Sequence, residues 1–273
     1  YAAVTALLIC FLLGPWLIRT LRNRDAGERI RSVGPESHGV KSGTPTMGGL
    51  LIIAATLVSV FLWMSWDHVN TWIAMIALLG FGALGFADDY RKVFLGDKKG
   101  ISARVKILGQ VAIGTVVAVL LVLAGGPEQT QLYIPLFKDP LIDLSIFYVP
   151  FAVVLLVGTS NAVNLTDGLD GLATGLVIMV GLTFAALSYV AGRVDWSAYL
   201  QIPYIPGGGE LAVLCLAVTG AAVGFLWYNA HPAEIMMGDT GSLALGGIIG
   251  TIALMIKKEL LLVVAGGVFV LEA

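Results

Sequence analysis

The 273-residue chain carries 16 Lys and Arg against 18 Asp and Glu, a formal net charge of -2, and is 58% hydrophobic but only 12% charged. Soluble domains carry about 25% charged residues, so long runs of this hydropathy read as membrane spans rather than core helices. The near-neutral balance argues against a nucleic-acid partner, and Cys10 and Cys215, far apart and each inside an apolar run, argue against a disulfide or a thiolate metal site. Both cysteines read as small buried hydrophobes.

Taken in chain order, apolar runs predict spans at about residues 1–18, 47–64, 71–87, 106–124, 146–160, 171–191, 211–228 and 241–256, with a partial one from 260. Each full run is near the ~20 residues that cross the hydrocarbon. The fold class expected is therefore an all-α polytopic integral membrane protein with about nine visible transmembrane helices in one domain over residues 1–273. No segment repeats with a period of tens of residues, which excludes a solenoid. Both ends read as cut: Tyr1 already lies in an apolar run, and Leu260 to Ala273 stop in an unfinished span. No basic stretch or cleavage site precedes the first run, so it does not read as a signal peptide.

Basic residues set the orientation. Arg19, Arg22, Arg24, Arg29, Arg31 and Lys41 surround the first connection, and Arg91, Lys92, Lys98, Lys99, Arg104 and Lys106 surround the third, which makes twelve of sixteen. The positive-inside rule places that side in the cytoplasm. The second connection, 65–70, has no Lys or Arg, as an outer loop should. Lys257 and Lys258 break the alternation, either through a miscounted span or as a local exception. The fifth and seventh connections, about 161–171 and 229–241, fall on the cytoplasmic side and are rich in carboxylates, amides and glycine. Two basic and two acidic segments thus converge on one face.

Four motifs carry the chemistry. Lys41 to Gly49 opens the second span; its Gly and Pro set a turn, and Lys41 offers a phosphate contact or simply inside charge. Asp88 and Asp89 end the third span, where carboxylates are costly and usually functional. Adjacent helical residues point about 100° apart, so one can face a pocket while the other pairs with Arg91 or Lys92. In Asn161 to Gly171, the residues Asn164, Asp167 and Asp170 recur every three positions, which a helical or 3₁₀ turn places on one face. The glycines there allow close approach of a ligand, and a helix starting nearby aims free N–H groups at an anion. Asp239, in Met237 to Ser242, is a helix cap or a metal ligand; Mg²⁺ prefers one or two carboxylates plus phosphates and waters. A lone His such as His231 is more often structural. The sum is a carboxylate cluster suited to Mg²⁺, flanked by Lys and Arg suited to phosphates, at the cytoplasmic face. Such a site suits phosphoryl transfer between a soluble and a lipid anion, and the chain has no Gly-x4-Gly-Lys-[Ser/Thr] loop.

The runs Gly43–Gly49, Gly85–Lys92, Asn161–Ala173 and Gly238–Ser242 resemble the polyprenyl-phosphate N-acetylhexosamine-1-phosphate transferases, and the wording Thr-Pro-Thr-Met-Gly-Gly and Asn-Leu-Thr-Asp-Gly-Leu-Asp-Gly resembles their peptidoglycan branch. The resemblance covers essentially the whole chain. It implies about ten helices in the complete family member and a bacterial cytoplasmic membrane location with the active site facing the cytoplasm. It implies a Mg²⁺-dependent reaction of UDP-N-acetylmuramoyl-pentapeptide with undecaprenyl phosphate to give lipid I and UMP, often in a homodimer. By the same resemblance Asp88 activates the lipid phosphate, Asp89 supports it and Asp239 holds Mg²⁺. Asn164 and Asp167 line the nucleotide-sugar site, and Gly168, Leu169 and Asp170 contact uracil, with Lys41 and Thr46 nearby. Lys106 contacts phosphate, with Arg104 as its rival. Direct in-line attack needs fewer assumptions than an aspartyl-phosphate. The family's His-rich loop near the C-terminal end has no counterpart within these 273 residues, and His231 does not belong to it.

Three competing readings are the sister enzyme that loads GlcNAc-1-phosphate on the same lipid, an ion-coupled transporter, and a membrane scaffold without chemistry. The sister should lack Thr-Pro-Thr-Met-Gly-Gly. A transporter would place its carboxylates near the midplane, often in broken helices of repeated units. A scaffold has no use for five carboxylates and two amides at one face.

Overall fold

The computed structural model describes residues 1–24, 44–97, 99–135, 137 and 139–272. Its helices follow the apolar runs: α1 (Ala2–Arg22), α2 (Gly49–Trp63), α3 (Val69–Val93), α4 (Ala103–Ala124), α5 (Tyr148–Thr166), α6 (Leu172–Ala191), the short α7 (Val194–Tyr199), α8 (Gly208–Asn229), α9 (Gly238–Met255) and α10 (Glu259–Glu272). Seven of them are long and apolar enough to cross a membrane, α1, α3, α4, α5, α6, α8 and α9. The other two expected spans are shorter: α2 has 15 residues and α10 has 14. The protein is thus an all-α polytopic membrane protein.

α9 is the axis of the bundle. Nine-tenths of its apolar window is buried, against less than a third for α1 and α4, and it packs on α3 and α5 while α8 packs on α1 and α6. Lipid offers no hydrophobic drive between helices, so close packing has to hold them. Small residues supply it: a Cβ on Gly247 would run into the Phe81 ring, and one on Gly246 would meet Ser160. The peripheral helices show the opposite pattern. Val4, Leu8, Leu12 and Trp16 along α1 are all at least half exposed, a stripe that suits acyl chains. Cys10 and Cys215 are buried and unbridged, as expected.

The all-helical reading missed two features between the spans. The connection from α4 to α5 holds a two-stranded antiparallel ribbon, β1 (Gln131–Tyr133) against β2 (Pro140–Asp143), with Leu132 opposite Ile142. α7 lies in the connection from α6 to α8. The C-terminal end of α9 also explains Lys257 and Lys258. Both are buried. The Nζ of Lys257 donates to Glu259 Oε1 at 2.7 Å, to the Gln129 carbonyl at 2.8 Å and to the Tyr148 hydroxyl at 3.3 Å, and lies 4.5 Å from the Tyr148 ring centroid. Burial pulls both ammonium groups below the usual lysine range. The pair is therefore a local exception: one charge is neutralised inside the protein, and neither is an exposed loop charge of the kind the positive-inside rule counts.

Candidate active site

The site forms where the C-terminal ends of α3 and α5 meet the N-terminal ends of α4 and α9. α9 begins at Gly238, whose φ of 76° suits glycine. Its first N–H groups need acceptors, as at any helix start. They find Asp89. Asp89 Oδ1 accepts from the Asp239 amide at 3.1 Å, and Oδ2 accepts from the Thr240 amide at 2.8 Å and its hydroxyl at 2.6 Å. Asp89 is thus a cap supplied from another helix, and the positive end of α9 stabilises its charge.

That capping requires α3 and α9 to touch. A Cβ on Gly85 would overlap the carbonyl of Asp239, and one on Gly49 would overlap the backbone of Gly241. The segment before α2 closes the same corner: Met236 donates to the Pro45 carbonyl at 2.8 Å, and Gly48 and Gly49 donate back to Met236 and Met237 at 2.9 and 2.8 Å. Thr46 is carried to within van der Waals reach of Gly238 by this pairing.

Asp88, one position before Asp89, points elsewhere, as adjacent helical residues must. Its Oδ1 accepts from the Ile101 amide at 2.6 Å, and its Oδ2 pairs with Lys92 one turn on. Lys92 also reaches Asp239 Oδ2 at 2.8 Å, and Lys106 from α4 reaches the same oxygen at 2.9 Å. Asn164 of α5 completes the set, donating to Asp239 Oδ1 at 2.6 Å and to Ser242 Oγ at 2.8 Å. Oxygens of Asp88, Asp89 and Asp239 all lie within 4.8 Å of one another. Three carboxylates that close, with two lysines among them, form a donor set that fits a hard divalent cation.

The other expected site residues divide. Asp167 caps the end of α5 and has its own partner. Gly168 and Leu169 are exposed in the turn that follows. Asp170 turns towards the loop before α9, where its Oδ2 lies 3.0 Å from His231 Nδ1 and 3.3 Å from the Ala233 amide. The three-residue recurrence therefore does not give one helical face: α5 ends at Thr166, and only Asn164 of the three lies on it. α6 then starts at Leu172, and the Gly171 amide before it is taken by Asn229 Oδ1 at 3.2 Å. Arg104 is exposed, and it is Lys106 that reaches the cluster. Arg91 pairs with Asp97 at 3.0 Å and leaves Asp88 to Lys92. Lys41 lies outside the described residues.

Lys92, Thr240, Ser242 and Asn229 were not singled out as site residues. In the sequence Lys92 reads only as a loop charge and as a neighbour for Asp88 or Asp89. Asn229 is buried and accepts from Thr174 Oγ1 at 2.9 Å while donating to the Ile235 carbonyl at 3.0 Å, which fixes the loop that leads into α9 and Asp239. A buried amide ending a span was the available signal.

Comparison with known proteins gives matches over the whole chain. A family model for glycosyl transferase family 4 matches residues 71–257. A signature described as phospho-N-acetylmuramoyl-pentapeptide-transferase signature 1 matches residues 41–53. Proteins named phospho-N-acetylmuramoyl-pentapeptide-transferase from Pelobacter propionicus and Geobacter sp. strain M21 are each 51% identical over 273 residues, covering all of this chain and 76% of the relative. One of the same name from Syntrophus aciditrophicus is 50% identical over 272 residues with the same coverage.

Proposed function

The chain belongs to glycosyl transferase family 4, in the branch of the phospho-N-acetylmuramoyl-pentapeptide transferases, and we propose that it moves phospho-N-acetylmuramoyl-pentapeptide from its UDP carrier onto undecaprenyl phosphate, forming lipid I and releasing UMP. The observation that carries this reading is the joining of Asp88, Asp239, Lys106 and Asn164 at one end of a membrane bundle. A water-soluble nucleotide and a lipid phosphate can both reach that depth. We assign the site to the cytoplasmic side of the bacterial inner membrane, since the basic third connection, with Lys92 and Lys106 at its two ends, flanks it.

In this reading Asp88 faces the lipid phosphate and Asp89 holds the start of α9 so that Asp239 keeps its place. Asp239 and Asp88 would hold Mg²⁺, which neutralises charge that develops on the transferred phosphate. Lys106 shares that neutralisation from the α4 side. Asn164 fixes the orientation of the Asp239 carboxylate and, with Asp167, lines the sugar-nucleotide side. Gly168, Leu169 and Asp170 would contact uracil, and Lys41 and Thr46 would serve the same substrate. A direct in-line attack by the lipid phosphate needs no group beyond these.

The deciding experiment offers UDP-N-acetylmuramoyl-pentapeptide and UDP-GlcNAc in parallel to the detergent-solubilised full-length protein with undecaprenyl phosphate and Mg²⁺. UMP released from the muropeptide nucleotide alone is the expected result. Release from UDP-GlcNAc alone would move the chain to the sister activity, and release from neither by folded, Mg²⁺-loaded protein would overturn the assignment.

A further inference from the structure

We propose that Lys92 is a built-in counter-ion that stands in the divalent-cation position of the carboxylate cluster and, once displaced by the metal, becomes a contact for the substrate phosphates. The argument begins with which oxygens remain available. Both Asp89 oxygens accept from the first residues of α9. Asp88 Oδ1 accepts from the Ile101 amide, and Asp239 Oδ1 from the Asn164 amide. Among the described residues, that leaves Asp88 Oδ2 and Asp239 Oδ2 as the oxygens of the cluster that accept from no amide and no hydroxyl of a neighbouring Ser or Thr. Lys92 is the group that bridges those two. A cation that ligates both has to take its place.

Lys92 and Lys106 differ in their freedom to leave. The Lys106 side chain is 17% exposed and held between α4 and the cluster, whereas that of Lys92 is 39% exposed on the last turn of α3. Lysine suits such an exchange, being a compact charge on a flexible four-carbon stem with three rotatable donors. The cluster gains from the lysine as well, because three carboxylates within 4.8 Å repel one another unless cations intervene. After displacement the ammonium remains tethered one turn from Asp88, on the open side where a phosphate arrives. The phosphate half of this proposal rests on the transferase reading; the metal half does not.

The test uses Mn²⁺ alone as the first probe, titrated into full-length protein in detergent and followed by the loss of its free electron paramagnetic resonance signal. Removing a competing, partly exposed ion pair in Lys92→Met should tighten Mn²⁺ binding about threefold to tenfold. Lys92→Arg keeps the charge and should stay close to the unaltered protein. A structural role would make Lys92→Met bind more weakly, and unchanged or weaker binding in a variant of unaltered melting temperature overturns the metal half. Lys92→Gln provides the same reading if Lys92→Met does not fold. The second probe is UMP in saturating Mn²⁺, where Lys92→Met should bind about tenfold more weakly. UMP binding that is unchanged or tighter overturns the phosphate half. An unaltered protein that binds Mn²⁺ but no UMP would count against the transferase reading as well, while the Mn²⁺ shift still judges the metal half.

Discussion

The two ends of α9 hold similar side chains and come to opposite uses. At the start of α9, three carboxylates meet two lysines, and the Lys92 side chain remains 39% exposed. Past its end, Lys257 meets Glu259, with side chains 4% and 0% exposed, closed in by Tyr148 and the Gln129 carbonyl. The closed end is a fastening between the α9–α10 corner and the 3₁₀ turn ahead of β1. The open end has three carboxylates to two lysines, and one of those lysines is partly exposed. A lysine–carboxylate contact by itself does not mark a functional site. Surplus charge of one sign and access from outside do.

That comparison can be broken at either end. The largest effect is expected for Asp239→Asn, which removes the charge both lysines share. Lipid-linked product formation should fall on the order of a thousandfold with little change in melting temperature, and near-normal turnover would remove Asp239 from the centre of the site. At the closed end, Lys257→Met should lower stability by about 3–4 kcal/mol by leaving Glu259 buried without its partner, while whatever folds retains its turnover. Thermal unfolding in detergent reads the first quantity, and pairing the change with Glu259→Leu should recover most of it. Gly85→Ala joins both kinds of effect. Its new Cβ meets the Asp239 carbonyl, so melting should reflect a loss of about 1–3 kcal/mol and turnover should drop too; a stable, active variant would show that the α3–α9 contact tolerates a shift. The smallest effect is expected for His231→Ala. Its ring is 83% exposed; its partner Asp170 is only 6% exposed but keeps the Ala233 amide, so the loss should be about 1 kcal/mol. Stability should hardly move, and a shift in the KM for the nucleotide sugar beyond about fivefold would mean that the pair does more than hold the loop.

The family relationship also disposes of two rival readings. The carboxylates sit at the ends of α3 and α9 rather than at mid-span, unlike the midplane sites of transporters. A scaffold would not share a transferase family model over residues 71–257.

Much of this was legible in the residues. Nine apolar runs became nine helices because a segment in hydrocarbon must satisfy its own backbone. Asp88, Asp89, Asn164 and Asp239 stood out because polar groups at span ends are costly. The ribbon β1–β2 and the short α7 were not visible: connections with mixed polarity, Pro and Gly carry no clear period. Lys92 was hidden for a different reason. Beside Arg91 it looked like one more inside charge, yet a turn of about 100° sends Arg91 to Asp97 and Lys92 into the cluster. Asn164, Asp167 and Asp170 misled in the reverse sense, since regular spacing has meaning only while the helix lasts, and α5 stops at Thr166.

By itself the sequence determined the membrane class, the number of apolar helices, the end of the bundle that carries the polar residues, and the family. These follow from hydropathy, the bias of basic residues and long local motifs, all of which are properties of neighbours along the chain. The tertiary structure decided which oxygen faces which cation. Asp89 and Asp239 are 150 residues apart, and Lys106 and Asp239 are 133 apart. Only the packing of α3, α4 and α5 around α9, made close by Gly49 and Gly85, turns Asp89 into a cap and leaves Asp88 and Asp239 open to a cation.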